Sequence, residues 1–79
     1  MPHKSRHVLD QLPQHAAALR ERMIVDREFR SLCEDYGETL EALRRWEASD
    51  DRHRQERVEE FRTLLAELEL EIARELGVA

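Results

Sequence analysis

Residues 27–47 read REFRSLCEDYGETLEALRRWE, and residues 58–76 read VEEFRTLLAELELEIAREL. In the first stretch Phe29, Leu32, Cys33, Tyr36, Leu40, Leu43 and Trp46 recur at steps of three and four, the spacing of one helical face. In the second, Val58, Phe61, Leu64, Leu65, Leu68, Ile72 and Leu76 do the same. The run Ala48-Ser49-Asp50-Asp51 interrupts the period and supplies several N-caps for the second helix. With Cys33 and Leu40 at heptad position a and Phe29, Tyr36 and Leu43 at d, the arms can be set against each other. Val58, Leu65 and Ile72 take a on the second arm, and Phe61 and Leu68 take d. The pairs Leu43/Val58, Leu40/Phe61, Tyr36/Leu65, Cys33/Leu68 and Phe29/Ile72 then share one pivot, between Asp50 and Asp51. This predicts an all-α chain built on an antiparallel αα-hairpin, with arms over about 27–48 and 52–76 and Gly77 closing the second.

The layers beyond the seam predict its ends. Glu47 faces Arg54 beside the turn, an expected ion pair. At the open end Asp26 faces Glu75, and like charges there should fray or bend the seam. The flanks differ in polarity. One carries Arg30 against Glu69 and Arg44 beside Gln55, a wet edge. The other carries Val25, Leu32, Thr39 and Trp46 opposite Leu64 and Arg57, with a Trp46–Arg57 cation–π contact within reach. Leu70, at an outward position, adds a second apolar point. Two helices alone leave such a flank uncovered, so Val25, Leu32, Trp46, Leu64 and Leu70 are the candidate interface residues.

Upstream, Pro13 suits a first helical position, and Gln14 to Ile24 reads as a short helix over about 13–24 with Ala16, Leu19 and Met23 on one stripe. Asp26 offers a fresh N-cap, so a bend is expected there. Residues 1–12, MPHKSRHVLDQL, hold no sustained period and read as a flexible tail with at most one turn of helix. Residues 1–25 set Lys4, Arg6, Arg20 and Arg22 against Asp10 and Glu21, a net charge of +2. The expected organisation is a basic tail over 1–12 and one helical domain over 13–79.

Composition narrows the function. The chain has 79 residues, 39% of them charged, with net charge −5 and one cysteine. A core this small supplies about 3–5 kcal/mol of net stability, so a sealed catalytic cavity is not expected. No apolar run reaches membrane-spanning length. The acidic balance argues against general affinity for nucleic acid, and Arg52-His53-Arg54-Gln55-Glu56-Arg57 is too mixed to reverse that. A lone Cys33 excludes an intrachain disulfide and fits a reducing cytoplasm.

Phe29-Arg30-Ser31-Leu32, then Tyr36, Leu40, Leu43 and Glu47, a Ser49-Asp50-Asp51 turn and a leucine-rich helix resemble the YdcH-like proteins. These are small bacterial helical hairpins of uncharacterised function. The resemblance covers roughly residues 26–72 and implies the hairpin fold. It implies no catalytic residues. The chain departs from that family's lysine-rich second arm, carrying Glu67, Glu69, Glu71 and Glu75 instead.

Among the remaining polar residues, His3 and His7 are four apart, and Asp50-x-x-His53 has ligand spacing. The first pair lies in the tail and Asp50 in a turn, and the Glu-x-x-His of helical di-metal sites does not occur. Glu34, Asp35, Glu38 and Glu41 line one outer face, with Glu60, Glu67 and Glu71 on the other. They read as a solvated surface, or a dock for a basic partner. Cys33 at the seam reads as a small hydrophobe. Gly37, unfavourable in mid-helix by about 1 kcal/mol relative to Ala, reads as a close-packing point against Arg62 or a partner helix.

These readings predict a non-enzymatic, cytoplasmic interaction or adaptor protein without cofactor, metal site or membrane contact. It self-associates through the apolar flank into a helical bundle, most simply as a homodimer, and a protein partner is possible. The rival reading is a small metal-binding or metal-storage protein whose sites form across an oligomer.

Overall fold

A computed structural model describes residues 3–78, and within them every regular element is helical. Helix α1 spans His3–Gln11, a 3-10 turn covers Pro13–His15, and α2 runs Ala16–Val25. The long arms are α3, Arg27–Glu47, and α4, Arg54–Leu76. The chain is all-α, as the periodicity predicts.

The boundaries have local causes. Pro13 opens the 3-10 turn, where its missing N–H costs nothing. Asp26 is extended (φ −132°, ψ 103°) and separates α2 from α3. Its Oδ1 accepts from the Phe29 backbone N–H at 3.0 Å, capping α3. The expected bend is therefore a break. Between the arms, Ser49 Oγ accepts from the Asp51 N–H (3.0 Å) and Asp51 Oδ1 from the His53 N–H (2.8 Å). These bonds hold the turn, and the second arm starts at Arg54, two residues later than expected. Gly77, at φ 77°, ends α4 in the left-handed region that a Cβ disfavours.

The arms lie side by side in opposite directions. By the turn, the Glu47 carbonyl accepts from Arg54 Nε (3.0 Å) and Nη2 (2.9 Å). Arg62 reaches the Glu47 carboxylate at 3.1 Å. At the far end, Asp26, Glu28, Phe29 and Leu32 share one recess with Glu71 and Glu75. The expected Glu47–Arg54 ion pair is thus a side-chain-to-backbone bond, and Arg62 supplies the charge. The expected repulsion of Asp26 by Glu75 is relieved by Arg22, which binds Asp26 at 2.9 Å and Glu75 at 3.2 Å. Its guanidinium also lies over the Phe29 ring, 5.1 Å from the centroid. A cation shared between two carboxylates holds the open end closed.

Phe29, Cys33, Tyr36, Leu40 and Ile72 form one buried cluster with Val8, Leu19 and Met23. Leu65 and Leu68 pack against it half-buried. Helix α3 is the central element, touching α1, α2 and α4.

The N-terminal segment departs most from expectation. Residues 3–11 form a docked helix in place of the expected flexible tail, and Ser5 and Val8 are fully buried. Lys4 pairs with Glu38 (3.1 Å) and His7 with Glu41 (3.0 Å), so contacts step forward together on α1 and α3. The key is Gly37. A Cβ there would overlap the Lys4 carbonyl oxygen and stand 2.5 Å from the Lys4 carbonyl carbon. The close approach inferred for Gly37 is real, and its partner is the α1 backbone in place of Arg62 or a second chain.

Candidate interaction surface

The surface follows from where α1 sits on α3. Gly37, Glu38 and Glu41 face α1. At about 100° per residue, Leu32, Thr39 and Trp46 fall on the other side of the seam. The edge read as wet is therefore the docking side for α1: Arg30 and Arg44 stay exposed at its ends, and Gly37 between them is the notch. The apolar flank is left to itself. On it, Leu64 is 42% exposed, and Leu32 and Trp46 are half-buried. Thr39 is buried, its hydroxyl donating to the Asp35 carbonyl at 2.8 Å.

The candidate interface residues do not form one stripe. Leu32, Trp46 and Leu64 share the flank. Val25 does not, because the break at Asp26 places it on α2, 81% exposed beside Ile24 at 78%. These two form a shallow apolar hollow with Ala18 and Leu76. Leu70, 48% exposed, lies with Ala66 and Ala73 on the outer face of α4. Sequence reasoning misses Ile24 because it carries the heptad frame of the arms upstream through Asp26. The N-cap signal of Asp26 is the clue that the frame stops there.

The flank is polar at both ends, and the two ends differ. At the Leu32 end, Glu28 and Glu71 line the recess, and neither side chain makes an ion pair or hydrogen bond among the described residues. At the Trp46 end, Arg57 is held by Glu60 at 2.9 Å. That bond replaces the expected Trp46–Arg57 contact, and the cation–π pair made instead is Arg22 on Phe29.

Little else points to chemistry. Burial pushes the Cys33 thiol up to about 12, with Glu34 adding to the shift, so it is a protonated core group. Burial also raises the Tyr36 hydroxyl, with Glu69 adding to the shift and Arg44 opposing it. His7 is engaged by Glu41, whose carboxyl it holds below the ordinary glutamate value. His53 accepts from Arg52 at 3.3 Å in the turn. The side chain of His3 lies outside the described residues. Among the described residues no three His, Cys, Asp or Glu side chains converge on a metal-sized site, and no helix is long and apolar enough to cross a membrane. Compared with protein-family models, curated proteins and solved structures, the chain matches none.

Proposed function

We propose that this protein is a small, non-enzymatic interaction or adaptor module of the cytoplasm that self-associates through the flank of Leu32, Trp46 and Leu64. The observation that carries this reading is the side on which α1 docks. Helix α1 packs on the Gly37 side and α2 closes the open end at Asp26 and Glu75, while Leu64 stays 42% exposed on the opposite flank. Burying a large apolar side chain contributes about 1.5–3 kcal/mol, a substantial addition to so small a core. A single buried thiol suits a reducing compartment. The hollow at Ile24 and Val25 and the Leu70 patch remain for a different protein partner.

Sedimentation equilibrium over a micromolar range tests the reading. The native chain should show a mass near twice 9.4 kDa or a higher multiple. Leu32→Glu with Leu64→Glu should shift it towards monomer and lower the helicity, because folding and assembly are linked. A stable, fully helical native monomer at every concentration refutes it.

A further inference from the structure

We infer that the seat of α1 on α3 also takes α1 from a second copy, so that two chains swap their N-terminal helices about the Leu12–Pro13 joint. The inference is independent of the apolar flank and uses the other side of α3.

The contacts that hold α1 are portable. Lys4 meets Glu38 and His7 meets Glu41, so both ion pairs of α1 among the described residues end on α3. The Lys4 backbone lies in the notch of Gly37, on the same helix. Val8 enters the apolar cluster that holds Cys33, Tyr36 and Leu40 of α3. Such a seat fits α1 whichever chain supplies it. Its occupant is specified by the match itself: a backbone that tolerates the glycine notch, an apolar side chain one turn on, and Lys4 and His7 set for two carboxylates.

The joint favours release. Because Lys4 and His7 pair in step with Glu38 and Glu41, α1 runs in the same direction as α3. Helix α2 ends at Asp26, where α3 begins. The chain therefore turns back within Leu12–His15, and Pro13 sits in that turn. The residue before a proline favours ψ of about 120–160°. Leu12 stands at ψ 60°, with its N–H bonded to the Val8 carbonyl and its carbonyl to the His15 N–H. Swinging α1 outwards moves Leu12 towards the range that Pro13 favours and leaves α1 as an arm that can reach another seat. Short hinges invite swapping of the element they carry, and a swap of identical elements is a low-cost route to a dimer. The same contacts form in either arrangement, so protein concentration sets the balance.

Charge reversal tests the swap without touching the core. Lys4→Glu with His7→Glu makes an acidic α1 over a native seat. Glu38→Lys with Glu41→Lys makes a basic seat under a native α1. Within either chain the pairs now repel, and the α1 amides should exchange faster than in the native protein. In a swapped dimer of the two chains, both helices meet seats of opposite sign. With one chain isotope-labelled, its α1 amides should regain at least about tenfold protection when the other chain is added in excess. Association through Leu32, Trp46 and Leu64 gives no such gain, because it leaves α1 where it was. A mixture in which the α1 amides exchange as in each chain alone overturns the proposal. If the reversed charges leave α1 docked on its own chain, a steric pair decides. Val8→Asp spoils α1, and Gly37→Leu blocks the seat. The Gly37→Leu chain should gain α1 protection from the Val8→Asp chain, and none from a chain carrying both substitutions. No gain from the first, or an equal gain from both, overturns the swap.

Discussion

Replacing Gly37 with alanine tests the docking of α1, because two effects of opposite sign compete at that position. In a bare helix the substitution is favourable: alanine is better than glycine by about 1 kcal/mol in a helix interior. In this structure the new Cβ would stand 2.5 Å from the Lys4 carbonyl carbon and 2.8 Å from its Cα, against an optimum of about 3.5–4.0 Å for carbon atoms. The obstacle is backbone, so no rotamer relieves it, and α1 must retreat by about 1 Å or more. Over-packing of this kind costs about 1–3 kcal/mol. Full release of α1 exposes Val8, worth about 1.5–3 kcal/mol, along with half-buried Leu9 and Leu12. With the propensity gain deducted, Gly37→Ala should destabilise the protein by up to about 2 kcal/mol. For a domain of this size each 1 kcal/mol lowers Tm by about 4–8 °C. Thermal and urea unfolding followed by circular dichroism measure it, and hydrogen exchange should show α1 amides losing protection. In a Val8→Asp background, where α1 is already expelled, the same substitution should stabilise by about 1 kcal/mol. A rise in Tm for Gly37→Ala in the native background, with α1 amides still protected, would refute the docked arrangement.

Other perturbations probe the rest of the fold. Leu40→Asp puts an unpaired charge at a core position only 6% exposed and should unfold the chain, as read by loss of helicity. Leu65→Asp, at a half-buried position, should be milder. Glu38→Lys removes an exposed pair with Lys4 and should cost at most about 1 kcal/mol. The Cys33 thiol should react with an aromatic disulfide reagent at pH 8 only as fast as the protein opens, and rapid stoichiometric labelling of the native state would contradict its burial. Asp26 is held below the ordinary aspartate value by the Phe29 N–H and then by Arg22. Glu41 is held below its own by His7. Both folded-state values are depressed, so their contributions are complete above the ordinary carboxylate range and are lost as pH falls through it. Asp26→Asn should flatten the acid limb of the stability–pH curve, and an unchanged limb would show that Asp26 carries none of it.

The arms, their turn and the all-α class are legible in the sequence because each rests on local signals. The recurrence of Phe29, Cys33, Tyr36 and Leu40 is a property of one helix, and the caps at Asp26 and Gly77 act within a few residues of themselves. The candidate surface is legible in part. Leu32, Trp46 and Leu64 follow from the heptad frame, whereas Val25 lies upstream of Asp26, where that frame no longer holds. What only the tertiary structure decides is the work of contacts distant in sequence. The apolar face of α1 is only Val8 and Leu9 with Leu12 just beyond it, too short a pattern to read as a helix, and α1 is held also by a backbone approach at Gly37 and by pairs reaching thirty-four residues away to Glu38 and Glu41. Arg22 draws Asp26 and Glu75 together from a third helix. Periodicity states which faces of a helix are apolar. Which of two flanks α1 covers depends on a missing side chain at Gly37, and a missing side chain leaves no trace in a hydrophobic pattern.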